Sequence, residues 1–248
     1  MSPTQSLADT QIPQETQDGI IKFCNTLQDR LKDNLLSISL YGSGARDDYR
    51  PDLSDVNLLI LLNRIDTKSL NQILDPVNLS RRYGINPLMM TPPDLLANIK
   101  VFPIKFSLIK EKYIVLFGED VLKDKEVDPK FLRLRCQQET QNQLMRLRHN
   151  FLRRSGGGLP AQISKIIKSY LATLRMIIFL KQGTLPSRSE ILPTAKELFG
   201  LDDEVLQKAQ DIQNQPEASS LQEMEALYGQ FLEIVFETVQ IAREMEND

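Results

Sequence analysis

The sequence predicts an α+β fold, a small sheet flanked by helices, followed by an all-α helical bundle. Three observations carry this. Leu35–Tyr41 (LLSISLY) and Asp55–Leu62 (DVNLLILL) are short strand-like segments separated by turn residues, Gly42-Ser43-Gly44 and Arg50-Pro51-Asp52-Leu53-Ser54. Ile163, Ile166, Ile167, Tyr170, Leu171, Leu174, Ile177 and Ile178 follow the i, i+3, i+4, i+7 spacing of a helix with one apolar face. From Asp128 onward no strand-like segment recurs.

In chain order, residues 1–15 are rich in Gln, Thr, Ser and Pro and read as a flexible N-terminal arm. Ile20, Ile21, Cys24, Leu27 and Leu31 predict an amphipathic helix over Gln17–Lys32. The strand Leu35–Tyr41 follows, then the strand Asp55–Leu62, whose far half is apolar on both faces as in a central strand. A helix is expected over Thr67–Arg82, a third strand over Ile85–Thr91 with Met89 and Met90 in the core, and a short helix over Asp94–Lys100. The alternation in Pro103–Lys110 (PIKFSLIK) predicts a fourth strand, after which Leu116–Asp120 turns the chain out of the sheet. The charged, proline-ended stretch Lys123–Pro129 marks a boundary, giving one domain over 16–125 and an α-helical domain over 126–248. In the second, helices are expected over Pro129–Arg154, Ala161–Gln182, Ser189–Phe199 and Asp203–Gln213, with a final one from Leu221 to Met245. The first two are separated by Gly156-Gly157-Gly158 and Pro160.

Composition narrows the function classes. At 248 residues with 41% hydrophobic and 25% charged residues, the chain is an ordinary globular sequence. Its longest apolar run, Leu58–Leu62, is far short of the roughly 20 residues that cross a bilayer, so no membrane partner is expected. The polar N-terminus does not read as a secretory signal. Cys24 and Cys136 lie far apart in no metal-binding spacing, and the expectation is two reduced thiols in a cytoplasmic protein. With one histidine, His149, a histidine metal centre or a Ser-His-Asp triad is poorly supported. Lys130, Arg133, Arg135, Arg146, Arg148, Arg153 and Arg154 face only Glu139 in their stretch, whereas Arg188–Asp248 holds four bases and fourteen acids. Both read first as solvated helix faces, and the basic one second as a surface for a polyanion. Aromatic residues are 6% without Trp and do not interleave with the bases, so nucleic acid is a weakly supported partner.

The chemistry concentrates in residues 40–63. Gly42 and Ser43 directly follow a strand; glycine lets backbone N–H groups approach a phosphate and the serine hydroxyl adds a donor. Asp55 opens the next strand, and residue 57 points to the same face. Two carboxylates there, beside a phosphate-binding turn, would hold Mg²⁺ against a nucleotide, because that ion takes hard oxygen ligands partly from the substrate. Residue 57 is asparagine, whose carbonyl can coordinate but carries no charge.

The order Gly42-Ser43-Gly44-Ala45-Arg46-Asp47, then Ser54-Asp55-Val56-Asn57-Leu58-Leu59-Ile60, resembles the signature of nucleotidyltransferases of the DNA polymerase β superfamily. That signature is Gly-Gly or Gly-Ser, a gap of roughly ten residues, and acid-hydrophobic-acid-hydrophobic. Val115–Asp120 (VLFGED) resembles the family's exit from its sheet. The fragments LRLRCQQETQNQLMRLRHNFL, KSYLATLRMIIFLKQG and ELFGLD resemble the helical region of a bacterial group of nucleotidyltransferase-domain proteins. The resemblance implies a nucleotidyltransferase-like mixed sheet, an NTP or other nucleotide as partner, and Mg²⁺ (or Mn²⁺) as cofactor. It implies Gly42 and Ser43 at the phosphates, Asp55 and Asn57 as catalytic and metal-binding positions, and Lys105 as a candidate cleft residue able to pair with a phosphate. From their placement alone, Arg46 could contact a phosphate or pair with Asp48 or Asp52, and Lys168 and Arg175, seven apart beside the apolar stripe of their helix, could line the cleft or mark that helix's solvent boundary.

The departures weigh as much as the matches. Family members that transfer nucleotides carry two carboxylates at the pair and commonly a third on a neighbouring strand. Here the pair is Asp55 and Asn57, and Lys105 stands in PIKFSLIK where relatives often have Glu. Asp47, Asp48, Asp52 and Glu111 are the acids that could stand in, and a full two-metal mechanism is not expected. Three readings follow: a nucleotide-binding protein with weak or absent transfer of a nucleoside monophosphate, an active Mg- or Mn-dependent enzyme using a single acidic ligand, and a non-catalytic scaffold or regulatory protein.

Overall fold

The structure, a computed structural model, describes residues 7–46, 48–51, 54–153, 158–212 and 220–245. The chain divides into two compact units, Met1–Val127 and Asp128–Asp248. Residues 1–6 of the expected arm, Asp47, Asp52, and Gly156 and Gly157 of the expected helix break lie outside the described residues.

The first unit is built on a four-stranded mixed sheet in the order β3-β2-β1-β4: β1 Leu35–Tyr41, β2 Val56–Leu62, β3 Ile85–Met90 and β4 Tyr113–Gly118. β2 and β4 run antiparallel to β1, and β3 runs parallel to β2. The parallel step needs a crossover, which helix α2, Thr67–Ser80, supplies. Asp66 caps that helix by accepting from the Ser69 amide at 2.8 Å.

Alternation along β2 divides its side chains between two cores. Val56, Leu58, Ile60 and Leu62 pack with Ile20, Phe23, Cys24, Leu27 and Leu31 of α1, Gln14–Leu31, and with Ile73 of α2. Leu59 and Leu61 face the other way, onto Leu95 and Ile99 of α3, Pro92–Val101, and Phe106 and Ile109 of α4, Pro103–Glu111. Helices thus cover both faces, and that is why β2 is apolar on both.

Two expectations need correction. The segment PIKFSLIK is helix α4, not a strand. Pro103 opens it at a position where the missing N–H costs nothing, the Phe106 amide donates back to the Phe102 carbonyl at 3.1 Å, and the buried pair Phe106 and Ile109 is spaced i, i+3. The fourth strand is instead Tyr113–Gly118, which overlaps the stretch Leu116–Asp120 expected to leave the sheet. In the expected arm, Leu7 and Ile12 are fully or almost fully buried in the α1-side core. Gln17 donates to the Ile12 carbonyl at 2.8 Å, and the Ile12 side chain packs beside Gly44.

The regular elements of the second unit are all helices, among the described residues: α5 Pro129–Arg153, α6 Gly158–Gln182, α7 Ile191–Phe199, α8 Asp203–Asp211 and α9 Leu221–Glu244. Its core joins Leu144 and Leu147 of α5 to the α6 stripe and to Tyr228, Phe231, Val235 and Val239 of α9. Buried tyrosine hydroxyls are paired across it: Tyr170 and Thr238 hydroxyls lie 2.7 Å apart, and Tyr228 donates to the Leu147 carbonyl at 2.8 Å. Among the described residues no helix is long and apolar enough to cross a membrane.

Candidate functional site

The site is built where β1 ends and β2 begins. Gly42 leaves β1 with φ +78°, in the left-handed region, and Gly42–Ala45 forms one 3-10 turn. The pairing sets the floor below it. Tyr113 of β4 stands opposite Tyr41 of β1, Tyr41 opposite Asn57 of β2, and Asn57 beside Asn86 of β3. Paired residues face the same way, so Tyr113, Tyr41, Asn57 and Asn86 form a row across all four strands. Asp55 continues that face at the mouth of β2 and is exposed.

The row is uncharged. Burial pushes the Tyr41 phenol up to about 12. Tyr113 is likewise raised to about 12, first by burial and then by the Asp120 carboxylate, to which its hydroxyl donates at 2.9 and 3.0 Å. Tyr49, buried in the loop before β2, is raised by burial and next by the Asp55 charge.

The orientation of Asn57 follows from its partners. The Asp55 carbonyl can only accept, so the Asn57 atom facing it at 3.4 Å is Nδ2. Its Oδ1 accepts from Asn86 Nδ2, also at 3.4 Å. That turns the N–H edge of Asn57 to the Gly42 turn: a Cβ placed on Gly42 would sit 3.3 Å from Asn57 Nδ2.

Of the other sequence-predicted residues, Ser43 lies in the turn, and Arg46 follows it with Nε 3.2 Å from Asp48 Oδ1. Lys105, on helix α4, is exposed and has no place in the strand row. Glu111 is the exposed last residue of that helix. In the second unit Lys168 is exposed, whereas Arg175 is buried and its Nε donates to the Pro186 carbonyl at 2.7 Å. His149 is exposed on α5. Sequence reasoning missed Asn86, Tyr41 and Tyr113; the signal for Asn86 was a lone polar position in the otherwise apolar strand INPLMM.

The chemistry of the donor set tests the fit of a metal. Asp55 contributes one carboxylate, and Asn57 turns N–H groups, not oxygen, to the turn. Among the described residues no group of three or more His, Cys, Asp or Glu could hold a metal ion. The described residues do not fit a two-ion centre.

No protein-family model matches the sequence, and no curated protein matches it significantly. Among solved structures, the spectinomycin adenyltransferase AAD(9) from Enterococcus faecialis, solved with ATP and spectinomycin, aligns with a TM-score of 0.59. The sequences are 13% identical, and the alignment covers 89% of this chain and 98% of that one. At that identity the likeness is one of fold, and the chain has a nucleotidyltransferase-like α+β fold followed by a helical part.

Proposed function

We propose that this protein binds a nucleotide at the Gly42 turn and has weak or no capacity to transfer its nucleoside monophosphate. The observation that carries the reading is the left-handed Gly42 turn standing over Asn57, with Asp55 as the carboxylate of the pair. The turn supplies close backbone approach to a phosphate, with Ser43 and Arg46 beside it. The fold likeness to a protein solved with ATP supports the same ligand class.

Transfer asks for more than binding. An attacking hydroxyl or amine must be activated and the leaving pyrophosphate neutralised, in this chemistry by metal ions held on carboxylates. Asp55 provides one charge and Asn57 none; the neighbouring strand places Asn86, another amide, beside Asn57. A cation at Asp55 would take most of its oxygens from the phosphates and from water.

The reading is tested by incubating the full chain with each of the four ribonucleoside triphosphates. Melting temperature and pyrophosphate release are followed together. A nucleotide at a hundredfold excess over its Kd should stabilise the chain by about 2.7 kcal/mol. The expected result is a melting shift without pyrophosphate. Release of pyrophosphate that disappears in Asp55→Ala would instead make the chain a working transferase. No shift with any nucleotide would leave a scaffold.

A further inference from the structure

We infer that the nucleotide's polyphosphate is bound here without a divalent cation, directly by the amide donors of the site. This rests on the nucleotide-binding reading above and assigns its ligand chemistry.

A cation-bridged site offers oxygen to the metal, and the metal meets the phosphates. This site is arranged the other way. Asn86 occupies the Asn57 oxygen, the Asp55 carbonyl holds the Asn57 amide group, and the N–H edge is left against the Gly42 turn. An N–H edge cannot ligate Mg²⁺, but it does donate to a phosphate oxygen, and such bonds to an anion are among the stronger ones. The rest of the row carries no charge to attract a cation, since Tyr41 and Tyr113 stay protonated well above neutral pH. Two amides side by side on adjacent strands fix each other's orientation, so Asn86 acts as a positioning residue for Asn57.

Asp55 is the group that decides between the two modes. It is exposed at the mouth of β2. In a cation-dependent site its carboxylate is indispensable, because it is the ligand. In a cation-free site it only repels the phosphates, so neutralising it should help. The same substitution therefore moves affinity in opposite directions.

The experiment is a calorimetric titration of the full chain with ATP, GTP, CTP and UTP, each once in excess EDTA and once in excess MgCl₂. Wild type, Asp55→Asn, Asn57→Asp and Asn57→Ala are compared, with a ligand-free melt of each to establish folding. Wild-type affinity in EDTA is expected within about threefold of that in Mg²⁺, and Asp55→Asn should bind in EDTA at least as tightly as wild type. Asn57→Asp should lose about tenfold in EDTA, the scale of one hydrogen bond to a charged group, and recover part of it with Mg²⁺. Asn57→Ala, which removes the donor without adding charge, should lose a few-fold in both buffers. Wild-type binding seen only with Mg²⁺, and abolished by Asp55→Asn, would overturn the inference while leaving nucleotide binding intact. No binding in either buffer would overturn both.

Discussion

Gly42 is where backbone conformation and ligand chemistry meet in one residue. Its φ of +78° is a conformation that costs an L-residue about 1–2 kcal/mol. A methyl group there would also crowd Asn57 Nδ2 at 3.3 Å. Gly42→Ala should therefore lower stability by about that strain and lower nucleotide affinity more steeply, since the intruding carbon covers the donor edge. Melting and titration of the same preparation separate the two effects, and unchanged affinity in a destabilised variant would remove the turn from the binding site. Gly42, Ser43, Asp55 and Asn57 could be singled out in the sequence because one hairpin brings them together within sixteen residues. Asn86 could not. It lies 29 residues from Asn57 and becomes its neighbour only through parallel pairing across α2, a register that the sequence does not print.

At the scale of elements, short apolar runs are ambiguous because period two and period 3.6 share positions. Ile104, Phe106 and Leu108 satisfied the first, but the sheet face had room for a helix presenting Phe106 and Ile109. Tyr113–Gly118 has the β-branched and aromatic character of a strand, but its second half fell within Leu116–Asp120, which read as an exit. The long helices of the second unit were legible because their apolar stripes run for many turns. Gly118 itself anchors β4 to β1. Its φ is +77°, and a Cβ there would run into the Leu36 carbonyl oxygen, where Gly118 pairs with Ser37 of β1. Gly118→Ala must push the strands apart or move the backbone, at a cost of about 2–4 kcal/mol. The denaturant midpoint measures this, and a variant within experimental error of wild type would show that the edge strand yields freely.

Each of the two units is built on apolar cores of its own, the first with one on each face of its sheet and the second with one among its helices, and the boundary at Val127 and Asp128 falls inside the charged stretch Lys123–Pro129. Each unit also holds one buried thiol, Cys24 beneath the sheet and Cys136 on α5, which gives the whole chain a separate reporter for each unit. Burial raises both from 9.0 to about 12, slightly opposed at Cys24 by its own backbone hydrogen bond and reinforced at Cys136 by the Glu139 charge. Below pH 9 both thiols are protonated whether the chain is folded or not, and stability is fully present. Between about 9 and 12 the unfolded chain gives up these protons and the folded chain keeps them, so stability falls as pH rises. The slope approaches about 1.4 kcal/mol per pH unit for each thiol. Tyrosines, whose ordinary value is 10.0, add to the loss only from there upward. Melting curves taken at closely spaced pH between about 8 and 10 should therefore turn downward near 9. Cys24→Ala should flatten the decline for the transition of the first unit and Cys136→Ala for that of the second. If one transition contains both units, each variant should remove about half of the slope. A decline equally steep in both variants would mean that the thiols ionise in the folded chain as freely as in the unfolded one.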